Sequence, residues 1–163
     1  MIITEIVIHK SLLDKFKKDS LKYYPHEHIQ AILGKQVGER LDVYTFYDLK
    51  VYKRIINKNE TSIHYNAPEI EIEDSEYKYF GNIHSHPDGP LECSEWDKEE
   101  FINRGEELFP IEKGVQLELL PEKIMGIFQI NKLKNGCQWG IVFYNKRMER
   151  IPIIISELKK GTS

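Results

Sequence analysis

Two histidines and an aspartate lie close enough together in the sequence to bind one metal ion. The run before His84 and His86, residues 79–83, mixes aromatic and β-branched residues as strands do, and residues two apart on a strand share a face. The two imidazoles can therefore hold one ion with bonds of about 2.0–2.1 Å, and Asp97 can supply a third ligand. Three protein ligands leave a fourth position open, which is typical of catalytic zinc.

The segment from Ser94 to Asp97 has a second interpretation, as the start of a helix. Serine is a favoured N-cap residue, and an acidic residue three positions later completes a capping pattern. The turn residues 87–90, Pro-Asp-Gly-Pro, reverse the chain directly after the histidines. Asp97, in the first turn of such a helix, can then return to the end of the strand. The cap and the metal ligand are therefore compatible.

The spacing H-x-H-x₇-S-x-x-D of this stretch resembles the JAMM motif of the MPN superfamily of zinc metalloproteases. That family also has a glutamate near the start of an early strand that runs into a glycine. Residues 24–34, YPHEHIQAILG, have this form, with Glu27 in the family's position. The resemblance implies that Glu27 is the general acid/base, and that one Zn²⁺ per chain is held by His84, His86 and Asp97.

Glu27 and Ser94 also suit amide hydrolysis on chemical grounds. Zinc bound by two neutral imidazoles and one carboxylate keeps a net positive charge and lowers the pKa of its water to about 7. A carboxylate outside the ligand set can take the proton of that water and pass it to a leaving amine. A hydroxyl can stabilise the oxyanion, and losing such a donor costs about 10²–10³ in rate. A Ser94 nucleophile is disfavoured, because it would need a free histidine nearby.

Other histidines and cysteines offer weaker alternatives. His26 and His28 form a second H-x-H pair around Glu27, but no carboxylate follows them at ligand spacing. On an extended strand both face away from Glu27, so neither is predicted to bind metal, although one of them could line the substrate cleft. Cys93 could ligate zinc, but it has no C-x-x-C partner and fits a small packing residue better.

Composition mainly excludes other classes of protein. The 163 residues fit a single domain, 1–163, that is large enough to bury a core. Two cysteines are too few for a disulfide framework, which predicts a reducing, cytoplasmic setting. No run approaches the roughly 18 apolar residues of a membrane helix. A net charge of −3 with mixed signs gives no footprint for nucleic acid, so the predicted partner is a protein, with no nucleic acid and no membrane.

Several elements are predicted before the metal strand. A strand at 2–8 and a helix at 11–23 come first. Strands at 29–35 and 41–52 follow and form an early hairpin. The polar segment 53–76 is predicted to be a loop that ends in a weak edge strand, and it is a candidate substrate surface.

After the metal strand, a helix is predicted from Ser94 to about Arg104. Residues 105–122 contain two prolines and two glycines, and are predicted to be an irregular insertion near the cleft. Strands at 123–132 and 137–144 form a hairpin around an Asn-Gly turn, and 151–155 is a last short strand. This order is consistent with the α/β fold of the MPN superfamily, which is cytidine-deaminase-like: a curved, mainly antiparallel sheet flanked by helices.

The family resemblance also implies a substrate. It indicates a zinc-dependent isopeptidase or peptidase that cuts after the C-terminal Gly-Gly of a ubiquitin-like modifier, from a lysine or from a precursor tail. Small stand-alone members of the family are associated with ubiquitin-like or sulfur-carrier proteins, including bacterial conjugation systems used in antiviral defence. Two alternatives stay open: a metallohydrolase acting on a small peptide or metabolite amide, and a non-catalytic MPN scaffold. Scaffolds commonly lose motif residues, whereas this chain has lost none.

Overall fold

A computed structural model describes residues 1–48, 50–57, 60–66, 78–103, 108–110 and 116–157. Within these residues the elements follow in the order β1 (Glu5–His9), α1 (Lys10–Tyr23), β2 (Ile29–Val37), β3 (Arg40–Asp48), β4 (Lys50–Asn57), β5 (Glu60–Asn66), β6 (Lys78–Pro87), α2 (Glu95–Asn103), β7 (Leu108–Pro110), β8 (Gln116–Leu133), β9 (Gly136–Tyr144) and β10 (Ile153–Ser156). Neither helix of this described part is long and apolar enough to cross a membrane.

Eight strands form one mixed sheet in the order β10-β1-β3-β2-β6-β8-β7, with β9 paired to β8. Neighbours are antiparallel in β2–β3, β2–β6, β7–β8 and β8–β9, and parallel in β1–β10, β1–β3 and β6–β8. The predicted α/β class, with a sheet flanked by helices, is confirmed. Because β6 and β8 are parallel, the chain between them must cross over the sheet, and α2 lies in that crossover.

Helix α1 packs on one face of the sheet, where the larger core cluster lies. Leu12, Leu13 and Phe16 are buried, as their helical spacing predicts. The Phe16 ring meets Phe46 of β3 and Phe128 of β8 edge-on, with ring centroids 5.6 and 5.3 Å apart. The predicted helix at 11–23 is confirmed and begins one residue earlier.

Helix α2 packs on the opposite face, over a smaller apolar cluster. Ile127 of β8 belongs to this cluster and pairs in register with His84 of β6, so the two side chains share this face of the sheet. The face that carries the histidines is therefore the one that α2 covers. The buried members of the cluster are Phe101, Met125, Ile127, Val142 and Tyr144.

The segment 53–76 is a correction to the prediction. Within it and just before it, residues 50–57 and 60–66 form the antiparallel hairpin β4–β5 instead of a loop, and the predicted strand at 41–52 is divided between β3 and β4. The polar composition of this stretch hid the strands, because the strand signal depends on an alternating apolar face. The weak edge strand predicted at its end falls on residues 67–77, outside the described residues.

Residues 105–122 are a second correction, since β7 and the first part of β8 lie within them. Pro121 lies inside β8, next to a shift in its register with β6 between Tyr79 and Gly81. Proline is tolerated in sheets at such irregularities, so it did not end the strand. The predicted β8–β9 hairpin is confirmed, with Leu133 paired to Gly136.

Candidate metal centre

Strand β6 presents the two histidines near its C-terminal end. His84 is paired on one side with Ile29 of β2 and on the other with Ile127 of β8, so the strand is fixed from both sides. The side chains of His84 and His86 are only 12% and 11% exposed. Two largely buried imidazoles therefore project from a strand that is paired on both sides, on the face that α2 covers.

The turn after β6 is bound to β8. The backbone N–H of Asp88 donates to the carbonyl of Ile130 at 2.9 Å, and the side-chain amide of Gln129 donates to the Gly89 carbonyl at 2.7 Å. Asp88 has a φ of 55°, a conformation that aspartate tolerates better than most residues. These contacts fix the direction in which the chain leaves β6.

The rest of the connection packs on β9. Gly140 leaves room for Leu91, since a Cβ added at Gly140 would lie 2.9 Å from Leu91 Cδ2. Cys93 packs against the α2-side cluster, and burial raises the pKa of its thiol. The described residues contain one His/Cys/Asp/Glu group able to hold a metal ion, and Cys93 is not part of it. Cys93 therefore packs against apolar side chains, as predicted.

The start of α2 is capped by a reciprocal pair of hydrogen bonds. The backbone N–H of Asp97 donates to Ser94 Oγ at 3.1 Å, and the backbone N–H of Ser94 donates to Asp97 Oδ2 at 3.2 Å. This arrangement is a capping box with aspartate in the acidic position. It fixes the Asp97 side chain, so the cap and the approach to the histidines occur together.

Three ligand atoms converge beneath this cap. His84 Nε2 and His86 Nε2 are 2.9 Å apart, and they lie 3.5 and 3.2 Å from Asp97 Oδ2. Ligands bound tetrahedrally to zinc at about 2.0–2.1 Å lie about 3.3 Å from one another. The triangle in the protein has nearly these edges, so the residues present fit a zinc ion with two imidazoles and one carboxylate.

The carboxylate and the imidazoles of the cluster affect one another's pKa values. Burial would raise the pKa of Asp97, but hydrogen bonds from His84 and His86 outweigh it and hold that pKa far below the ordinary value. The hydrogen bond to Asp97 raises the pKa of His86 against the effect of burial. His86 Nδ1 lies 3.4 Å from the carbonyl of Pro90, so a hydrogen on Nδ1 has an acceptor there, and loss of the Nε2 hydrogen would free Nε2 to bind a metal ion.

Glu27 lies beside this cluster, in the irregular segment between α1 and β2. Ile29 pairs with His84, and the N–H of Ser85 donates to the His28 carbonyl at 2.8 Å, so the antiparallel register places Glu27 opposite His86. Opposite residues share a face. The pKa of His86, raised mainly by Asp97, is also raised by the charge of Glu27. Glu27 is therefore near the ligands but outside their triangle, with an exposed side chain.

The rival histidine pair lies elsewhere. His28 is only 4% exposed and is stacked on Tyr23, with ring centroids 4.6 Å apart, on the α1 side of the sheet. Its Nε2 lies 3.1 Å from the amide nitrogen of Gln30. His26 is exposed. The structure therefore places His28 away from Glu27, and its burial does not suit the alternative role of lining a cleft.

Two further contacts at the site were not anticipated from the sequence. Ser85 is fully buried, and its Oγ accepts a hydrogen bond from the backbone N–H of His28 at 2.8 Å. A signal for this contact existed, because strand alternation turns Ser85 into the core and a buried hydroxyl needs a partner. The hydroxyl of Tyr24 donates to the Asp88 carboxylate. No local pattern pairs two residues so far apart in the chain.

The mixed sheet and the His-His-Asp triangle together define a domain with a candidate metal site. A family model described as "Prokaryotic homologs of the JAB domain" matches residues 9–125. The chain belongs to this family, and the resemblance to the JAMM/MPN superfamily is confirmed. No sequence among curated proteins matches the chain significantly.

Three solved structures align with nearly the whole chain. A protein from Desulfitobacterium hafniense, solved in solution, is 16% identical, with 94% of each chain covered and a TM-score of 0.52. A JAB1/MPN domain protein from Archaeoglobus fulgidus is 17% identical, with 94% of this chain and 98% of that chain covered and a TM-score of 0.49. A structure described as "JAMM: A Metalloprotease-like Zinc Site in the Proteasome and Signalosome" is 15% identical, with 95% and 99% covered and a TM-score of 0.46.

Proposed function

We propose that this protein is a zinc-dependent peptidase or isopeptidase. The observation that carries the proposal is the triangle of His84 Nε2, His86 Nε2 and Asp97 Oδ2, with edges of 2.9–3.5 Å. Two imidazoles and one carboxylate leave one position open in a tetrahedral zinc site, which is the arrangement of a catalytic centre. Membership in the prokaryotic JAB family supports this assignment.

Glu27 is the residue that moves the proton. A zinc ion held by His84, His86 and Asp97 would supply the Lewis acidity that makes water nucleophilic near neutral pH. Glu27 faces His86 from outside the ligand triangle, so its carboxylate can accept a proton at this point and later donate it to the leaving amine. Its exposure leaves it accessible to substrate.

Ser94 is the proposed oxyanion donor. Its Oγ accepts a hydrogen bond from the Asp97 N–H, which occupies a lone pair and leaves the hydroxyl hydrogen for donation. The residue lies at the N-terminus of α2, whose dipole also favours negative charge. Both effects act where the carbonyl oxygen of a scissile amide would gain charge.

The proposed substrates are conjugates or precursors of ubiquitin-like or sulfur-carrier proteins, cut after the terminal Gly-Gly. Support comes from the family and from the motif residues, since Glu27 and Ser94 both lie beside the ligand triangle. An extended glycine tail can pair with a strand edge through its backbone, which favours such tails over folded segments. The proposed location is the cytoplasm. Cys93 and Cys137 are not joined by a disulfide, which fits a reducing compartment.

A fusion or lysine conjugate of a candidate modifier tests the proposal. Zinc-loaded protein should cut directly after the terminal glycines, as located by mass spectrometry of the products, and chelation of zinc should stop the reaction. Replacing either tail glycine with valine should block cleavage. Equal cleavage of glycine-free peptides would reject the deconjugase but keep the metallopeptidase. No hydrolysis of any conjugate or peptide would favour a non-catalytic scaffold.

A further inference from the structure

The hydrogen bond between Tyr24 and Asp88 joins the two segments that meet at the metal centre. Tyr24 precedes Glu27 in the irregular segment between α1 and β2, and Asp88 follows His86 in the turn after β6. The Tyr24 hydroxyl donates to Asp88 Oδ2. The Lys132 ammonium, from β8, lies 5.8 Å from the centroid of the Tyr24 ring and packs on it.

We propose that this pair, called the clasp, positions the Glu27 carboxylate beside His86. Neither Tyr24 nor Asp88 is assigned a part in the chemistry, so both would be positioning residues. The kinetic effects expected of the clasp rest on the proposed hydrolytic function. The position that the clasp gives to Glu27 does not depend on that function.

The need for a clasp follows from where the strand ladder ends. β2 begins at Ile29, and the last contacts that tie it to β6 are the two hydrogen bonds between His28 and Ser85, each 2.8 Å. Glu27 lies just beyond them, in a turn whose backbone hydrogen bond from the His26 N–H to the Tyr23 carbonyl, 2.8 Å long, ties it to α1 and not to β6. Tyr24 supplies a second tie on the other side of Glu27, and two ties define its position.

Asp88 is a suitable anchor because it is itself fixed. Its backbone N–H donates to the Ile130 carbonyl at 2.9 Å, and the next residue, Gly89, accepts from Gln129 at 2.7 Å. The clasp therefore ties the Glu27 segment to the same strand, β8, that supports the turn after His86. Proton transfer depends on such positioning, because a misplacement of about 1 Å can cost about 10² in rate.

Hydrogen exchange tests the structural claim without any substrate. Tyr24→Phe removes the donor, and amides of residues 26–28 should then exchange faster in the zinc-loaded protein, while those of β9 should not change. Tyr23→Phe is the matched control, because it makes the same chemical change on the neighbouring exposed ring. Unchanged exchange at 26–28 in Tyr24→Phe, or equal acceleration in both variants, would overturn the clasp.

Kinetics test whether the clasp acts through position. Asp88→Gly removes the carboxylate while allowing the φ of 55°. It should lower kcat about 10- to 100-fold with little change in KM or zinc content. Asp88→Asn keeps an oxygen that can accept from Tyr24, and should recover most of that kcat. Equal losses in the two variants, or a loss confined to KM, would reject positioning.

A double-mutant comparison asks whether Glu27 is the residue being positioned. In a Glu27→Gln background, adding Tyr24→Phe should cause no further loss of single-turnover rate, because the group that the clasp positions is already gone. A further loss equal to that of Tyr24→Phe alone would show that the clasp acts elsewhere. If the zinc-loaded wild type hydrolyses nothing, the proposed function fails and hydrogen exchange alone decides the clasp.

Discussion

The metal centre is built from two segments that are held in different ways. Residues 84–97 supply the three ligands and Ser94 from one continuous stretch, whose turn is bound to β8 and whose helix start is capped by Ser94. Glu27 comes from a distant segment and is exposed, and its neighbours Tyr24 and His28 are hydrogen-bonded to Asp88 and Ser85. The proposed metal ligands therefore come from one local stretch, while the position of Glu27, the proposed proton-transfer group, follows from long-range pairing.

This difference predicts that metal binding and turnover can be separated by mutation. A change on the Glu27 side should leave zinc in place and lower the rate. A change at His84, His86 or Asp97 should lower zinc content and rate together, and a change at Asp97 should also lower stability, because its carboxylate takes part in the α2 cap as well as in the proposed ligand triangle.

Glu27→Gln should separate zinc binding from turnover more than any other single change. The amide keeps the shape of the side chain but cannot take a proton, so turnover should fall by about 10²–10⁴-fold. Zinc content and thermal unfolding should match those of the wild type. Loss of zinc in this variant would make Glu27 a ligand and remove the distinction between the two segments.

Removal of the Ser94 hydroxyl tests a residue with two roles. Ser94→Ala should lower kcat about 10²–10³-fold through the oxyanion and destabilise the fold by about 1 kcal/mol through the cap. Glycine is a better N-cap than alanine, so Ser94→Gly separates the roles. Both variants should lose the same kcat, whereas a much smaller loss in Ser94→Gly would assign the effect to the cap alone.

Gly140→Ala tests how the connection to α2 supports the ligands. The added Cβ would lie 2.9 Å from Leu91 Cδ2 and 3.4 Å from Cδ1, so Leu91 must move. Overpacking of this kind costs about 1–3 kcal/mol, and zinc should be retained less well in a chelator competition. Adding Leu91→Ala removes the overlap and should recover part of the zinc retention. Unchanged retention in Gly140→Ala would show that this packing does not position Asp97.

The pH dependence of the metal-free protein gives the smallest expected effect. Its His86 has a pKa raised above 6.5, so the stability from the His86–Asp97 pair is full below that value and is lost as pH rises through the raised pKa. Asp97 has a pKa lowered below 3.8, so its contribution is full above that value and is lost at more acidic pH.

The metal-free wild type should therefore exceed Asp97→Asn in thermal stability by more at about pH 5.5 than at about pH 8.5. The zinc-loaded wild type should instead lose stability as pH falls, because protonation of its ligands releases the metal. An equal difference between the two metal-free proteins at both pH values would contradict the coupling of His86 with Asp97.

The sequence predicts best what short-range pattern determines. Helix α1 and the β8–β9 hairpin follow from apolar spacing and turn residues, and the ligand cluster follows from strand alternation and a capped helix. The β4–β5 hairpin was missed because its strands are polar. The length of β8 was missed because Pro121 suggested a break, and only the register shift against β6 shows how proline is accommodated.

Contacts between distant segments could not be predicted from the sequence. Nothing near Tyr24 indicates that its hydroxyl meets Asp88, since that meeting depends on the pairing of β2 with β6. The role of Ser85 as the acceptor for His28 depends on the same pairing. Residue types and spacing therefore indicated the candidate metal ligands, which the structure brings together, but not the long-range contacts around them.

Zinc content tests most directly whether His84, His86 and Asp97 form a metal centre. Elemental analysis of the purified wild type should find about one zinc per chain, and the His84→Ala/His86→Ala variant should lose most of it while Glu27→Gln keeps it. Equal zinc in the wild type and in the double histidine variant would contradict the assignment of the site.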